Sequence, residues 1–186
     1  MPEACACCYD RVGVERTNTT FAKLNEGWNA EPGAPYPELQ VQGRSLVLTF
    51  YLNPWVFPQF KPGDVGELTF SDCWRYRLGP TNDEGWWRGQ CRFSRRAPEW
   101  GEFYELTGDL RLERIPNDAW TTIGEPTNKE TRHFLFYFKD ETFECDAAAW
   151  NFRVIAGSHE FPGARAISLP SGSSATLIPP RSSDKR

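Results

Sequence analysis

The sequence predicts a mainly β, single-domain protein: a strongly curved antiparallel sheet or an open β-barrel with one or two short helices. Three observations carry this prediction. Apolar residues recur with period two in several runs between residues 44 and 138, the pattern of strands with one buried face. Gly and Pro, 15 of each, place turn chemistry between those runs. Eight Trp, 13 Phe and six Tyr give the core an aromatic filling that the modest aliphatic content would not supply. A chain of 186 residues suits one domain with tails. Its expected parts are an irregular N-terminal segment (1–38), an antiparallel β domain (39–167) and a flexible C-terminal tail (168–186).

Taken in order, the first segment opens with MPEACACCYDRVG, which lacks a basic start followed by an apolar stretch. A cytoplasmic location and reduced cysteines are therefore expected. Cys5, Cys7 and Cys8 lack the paired spacing of a structural zinc site, so neither metal nor cofactor is expected. Residues 14–28 carry a weak helical pattern, and GWNAEPGAPYPE at 27–38 reads as an approach loop.

The β domain starts with Leu46, Leu48, Phe50 and Leu52 on one face of a strand that Asn53-Pro54 ends. WVFPQF (55–60) follows as an apolar loop. From 66 to 78, Leu68, Phe70, Trp74, Tyr76 and Leu78 share a face, with Arg75 and Arg77 opposite. WWRGQCRFS (86–94) alternates too, so 66–78 and 86–93 are expected to form a hairpin, with Tyr76 opposite Gly89 and Trp74 opposite Cys91. Residues 102–112 would add a third strand, a register that sets Arg92 against Glu105 and Arg88 against Asp109. Residues 132–138 are apolar on both faces and predict a central, doubly covered strand. Lys139-Asp140-Glu141 makes a turn and 142–145 returns. Asp146 is expected to cap a short helix at 147–150, before a last strand at 151–155. The Ser- and Pro-rich end from Ser168 reads as a tail.

Three groups of residues are candidates for function. Arg75, Arg77, Arg88 and Arg92, with Arg95 and Arg96 beyond, make a basic strip beside Tyr76 in a chain of net charge −4. It is either a surface for an anion or acidic partner or a salt ladder to Glu105 and Asp109. Asp140, Glu141, Glu144 and Asp146 cluster near His133, a set suited to a cation or to acid–base work. The turn accounts for Asp140 and the helix cap for Asp146, so a structural role fits them better. Trp55, Phe57, Phe60, Trp86 and Trp100 lie in loops that would line a ligand pocket or a protein-binding patch if they met at one end of the barrel. No nucleophile elbow, zinc-protease motif, phosphate loop or dinucleotide fingerprint is present in the sequence.

The stretch RHFLFYFKDETFECDAAAW resembles strand–turn–strand segments of small bacterial proteins and of some toxin-immunity families. The resemblance carries no functional residue. The function expected is that of a non-enzymatic binding or interaction protein, of an immunity type in one version, using the arginine face or the aromatic loops. The alternative is a small-molecule-binding barrel, or an enzyme built on one, with Trp, Tyr, Arg and acidic groups lining a cavity. A protein, a second copy of the chain or a small molecule is the expected partner. The acidic balance argues against nucleic acid, and the lack of an apolar run of about 18 residues argues against a membrane span.

Overall fold

The computed structural model describes residues 19–80, 82–90, 93, 99–108, 120–127 and 130–155. The expectations for Cys5, Cys7, Cys8, Cys91, Arg92, Arg95, Arg96, Asp109 and the 168–186 tail lie outside the described residues. The described chain forms β1 (Thr20–Lys23), β2 (Glu38–Gln42), β3 (Ser45–Tyr51), β4 (Val65–Ser71), β5 (Arg75–Gly79), α1 (Asp83–Trp87), β6 (Phe103–Thr107), β7 (Thr121–Thr122), β8 (Arg132–Tyr137), β9 (Thr142–Ala147) and β10 (Ala149–Ile155). These make a six-stranded sheet, order β1-β6-β8-β9-β5-β7, and a four-stranded sheet, order β10-β4-β3-β2. Every pairing is antiparallel. The mainly β single domain is thus built as two sheets, and no barrel closes among the described residues. No helix among them is long and apolar enough to cross a membrane.

The sheets share one core. Leu46, Leu48, Phe50, Leu68 and Phe70 of the smaller sheet pack against Phe103, Phe134, Phe136, Phe143 and Cys145 of the larger. Rings meet edge-on or offset, as at Phe50–Phe136 (5.1 Å, 89°), a geometry that adds about 0.5–1.5 kcal/mol per pair beyond area burial. Gly66 sits under this layer. A Cβ there would lie 2.9 Å from Leu52 and 3.0 Å from both Phe50 and Phe152. We expect Gly66→Ala to lose about 1–3 kcal/mol by overpacking; urea unfolding showing no loss would mean that these rings yield freely.

Trp28 closes one end of the core. It stacks on Phe152 (4.0 Å, 5°) and touches Phe50, Phe103 and Phe136. Buried Asn25 holds it there, donating from Nδ2 to Trp28 O (2.8 Å) and accepting Phe103 N–H at Oδ1 (3.0 Å). The weak helix read at 14–28 does not form in its described part, where Thr20–Lys23 instead pairs with β6.

A bent ribbon links the sheets. β4 pairs with β10, and their continuations β5 and β9 pair in the other sheet. Ser71 faces Ala149 and Arg75 faces Asp146, so Asp72, Cys73 and Trp74 oppose only Ala147 and Ala148. The extra residue is a β-bulge, which bends a strand and re-aims its side chains. Asp72 takes the left-handed conformation it requires, with φ of 50°. Trp74 N–H to Asp146 O and Ala148 N–H to Ser71 O, both 3.0 Å, carry the pairing round the bend.

Three expected elements are corrected. The 66–78/86–93/102–112 meander does not form. β5 pairs with β9 and β7, and β6 pairs with β1 and β8. Residues 83–87 are helical because Asn82 caps them, accepting Gly85 N–H at 2.8 Å, with Asp83 and Glu84 in the first turn. The helix expected at 147–150 is the crossing from β9 to β10. The central strand read at 132–138 is β8, with Phe134 and Phe136 in the shared core. Leu135 and Tyr137 lie on its other side, under Trp86, Phe93, Tyr104 and Leu106.

Candidate functional site

The outer face of the larger sheet holds a chain of charged side chains. Register dictates it: on β9, Glu144 and Asp146 are two residues apart and share a face. Arg77 and Arg75 are their neighbours on β5, and His133 is opposite Asp146 on β8. His133 Nδ1 lies 2.6 Å from Asp146 Oδ1, and its Nε2 lies 2.9 Å from Glu144 Oε2. Arg75 Nε donates to Asp146 Oδ2, and Arg77 Nη1 lies 3.5 Å from Glu144 Oε1. His133 is only 3% exposed and the Glu144 side chain is fully buried.

A neutral imidazole would aim a lone pair at a carboxylate oxygen. Both contacts are satisfied only when both ring nitrogens carry protons. Burial by itself lowers the His133 pKa, but hydrogen bonds to Asp146 and Glu144 and the charges of both acids outweigh it, and the pKa is raised above 6.5. Burial opposes the Asp146 charge, yet His133 and Arg75 prevail and hold its pKa below 3.8. Among the described residues the network therefore sets three cations (Arg75, Arg77, His133) against two anions (Asp146, Glu144), a positive excess.

Beside it opens a cleft of about 780 Å³, walled by Trp74, Glu105, Thr127, Arg132, His133 and Asp146. Arg132 is tied to Glu105 by two hydrogen bonds of 2.7 and 2.6 Å and adds no net charge. The wall is fixed to the bulge, where Asp72 accepts hydrogen bonds from Thr127 and from Arg44 Nε (2.6 Å), while Arg44 Nη2 donates to Glu125 O (2.8 Å). The Arg75 guanidinium lies between two indoles, 4.3 Å from the Trp74 ring and 4.4 Å from Trp120. This cation–π contact at a partly desolvated site is worth about 1–2 kcal/mol. It fixes the guanidinium plane while only Nε is engaged by Asp146. Trp74 Nε1–H, buried at the wall, donates to no acceptor among the described residues.

Of the residues singled out in the sequence, His133, Glu144 and Asp146 of the acidic cluster and Arg75 and Arg77 of the basic strip join this site, while Asp140 and Glu141 stay at the turn. The two arginines pair with Asp146 and Glu144, and Glu105 pairs with Arg132. Tyr76 points the other way and packs on the shared core. Arg88 caps the C-terminal end of α1 and pairs with Glu84 at 3.2 Å. Trp86 and Trp100 cover the same outer face of β8 as His133 but farther along the strand, Trp100 stacked on Tyr137 at 4.7 Å. Trp55 stands apart on the 53–63 loop, 76% exposed. Trp86 and Trp100 thus meet, with ring centroids 6.1 Å apart, while the 53–63 loop with Trp55 belongs to a separate hollow. The acidic cluster expected near His133 is thus brought into contact by the hairpin about Lys139–Glu141, but the helix cap expected of Asp146 does not form and its carboxylate faces His133 and Arg75 instead.

Compared with family models, with curated proteins and with solved structures, the chain matches none.

Proposed function

We propose that the protein is a non-enzymatic interaction protein that captures a carboxylate of an acidic partner in the cleft above His133. The positive excess of the buried network carries this reading. Three cations share two anions, and the cleft wall adds an unmatched indole donor. A site with surplus donors is complementary to an acceptor-only group, and a carboxylate accepts hydrogen bonds in the geometry that a guanidinium offers. The same network argues against proton-transfer chemistry. An imidazolium clamped between two carboxylates keeps its protons and presents no lone pair to a substrate or a metal. Charges converge on the outer face while the sandwich interior is filled with phenylalanine, which favours an outside partner over an enclosed ligand. A reducing compartment suits Cys73 and Cys145, both buried free thiols.

A titration of the 15N-labelled protein with hexaglutamate peptide, and separately with succinate, tests the reading. The Trp74 and Trp120 indole N–H signals are expected to shift with the peptide. Arg75→Ala is expected to weaken binding at least tenfold, about 1.4 kcal/mol, while Arg88→Ala leaves it unchanged. Succinate binding as tightly as the peptide would point to a small carboxylate instead. No shift with either probe, or equal binding by Arg75→Ala, would overturn the proposal.

A further inference from the structure

The loop between β3 and β4 builds a second surface, whose lining shares no residue with the cleft beside His133. Two of the large exposed apolar residues lie on this loop, Trp55 (76% exposed) and Val56 (62%), and a third, Tyr36 (57%), precedes β2 and meets Tyr51 at the end of β3. Trp55 lines a hollow of about 250 Å³ together with Tyr51, Leu52, Pro54 and Pro62, with Glu31 as its one charged wall residue. The chain takes care to present these rings. Asn53 Oδ1 accepts Trp55 N–H at 3.0 Å and Val56 N–H at 3.3 Å, which turns Trp55 outward. Tyr36 is held at φ of 44°, a strained conformation for a residue with a side chain, and sets its ring edge-on to Tyr51 at 5.9 Å. Isolated surface apolar residues need no explanation, but a rimmed aromatic hollow marks an interaction site.

We propose that this hollow docks a proline-rich segment in the polyproline II conformation, flanked by an arginine or lysine. The shape of the site selects among the ways a peptide binds. Strand addition needs an open strand edge, and residues 53–63 form no strand; the nearby Gly33 and Ala34 N–H groups are already taken by Glu31 Oε2. An amphipathic helix needs a long groove, whereas this hollow accepts one or two side chains. A polyproline II segment needs neither. It comes preformed, lays proline rings between aromatic ones, and offers its unpaired carbonyls to donors such as the Trp55 indole N–H. Charge complementarity fixes the flanking residue. Glu31 uses Oε2 for both backbone donors, and Oε1 receives no hydrogen bond among the described residues, leaving it open to a cation.

The test is an NMR titration of the full chain with an octaproline peptide ending in arginine, against one ending in glutamate and one with every second proline replaced by alanine. The Trp55 indole signal is expected to move with the arginine peptide and at least tenfold more weakly with the other two. Trp55→Ala, a change at an exposed site that leaves the fold intact, is expected to abolish binding, and Glu31→Gln to erase the preference for arginine over glutamate. The proposal fails if millimolar peptide leaves Trp55 unmoved, if Trp74 and Trp120 respond instead, or if the glutamate peptide binds equally. It also fails if the Trp55 signal shifts with protein concentration alone, which would make a second copy of the chain the occupant.

Discussion

Replacing His133 by leucine is expected to destabilise the fold by about 3–5 kcal/mol, because it strips one partner from a buried charge network and leaves the others in place. Glu144 is wholly buried and would lose the 2.9 Å contact of its Oε2 to the His133 ring. Urea unfolding of the two proteins at pH 6 measures the difference. A loss under 1 kcal/mol would mean that the acids are protonated or hydrated in the folded state. The pH dependence gives a second readout. His133 has its pKa raised above 6.5 by folding, so its contribution is complete below 6.5 and fades as pH rises through the raised value. Asp146 has its pKa lowered below 3.8, so its contribution is complete above 3.8 and fades as pH falls through the lowered value. The network thus stabilises most between these limits, and its alkaline decline is expected to vanish in His133→Leu. A wild-type profile that stays flat from pH 6 to 10 would contradict the imidazolium assignment.

Trp28→Ala is the second large effect, about 3–5 kcal/mol, typical of emptying the volume of a buried aromatic ring. The residue belongs to no strand or helix. Its ring nonetheless contacts both sheets, through Phe50 and Phe152 on one side and Phe103 and Phe136 on the other. The rigid hold by Asn25 limits how far the site can collapse, which keeps the loss near the upper end. Trp87, 65% exposed on α1, is the matching control, and its alanine variant is expected to change stability by less than about 0.5 kcal/mol. Equal losses in the two variants would show that Trp28 contributes no more than a surface indole.

Sequence periodicity revealed the β class and the two-faced strand β8, because both follow from side-chain alternation alone. Partner choice does not follow from it. WWRGQCRF alternates like a strand, yet Asn82 and the acids after it start a helix that takes up its first two residues, Trp86 and Trp87, and a local cap outweighs the pattern there. The 66–78 run misled in a subtler way. The bulge turns Cys73 into the core and Trp74 out to the cleft, but its two half-steps cancel. Tyr76 and Leu78 therefore keep the parity of Leu68 and Phe70, and the run looks unbroken. The candidate site was half legible. Arg75 and Arg77 stood out by charge, whereas Asp146 had been explained away as a cap. Counting outward from the Lys139–Glu141 turn would have placed it opposite His133.

The bent ribbon has a consequence in time as well as in space. β4 and β5 find their partners only in β10 and β9, and Arg75 lies 71 residues ahead of Asp146 along the chain. During synthesis both arginines and the aromatic strands around them leave the ribosome long before the acids that complete them exist. Neither sheet can finish until the final strands emerge, so the domain assembles late and all at once, in the slower regime of folds ruled by distant pairings. Until then its half-made edges are open to other chains, and the nascent protein depends on speed of completion, or on a chaperone, more than most domains of its size.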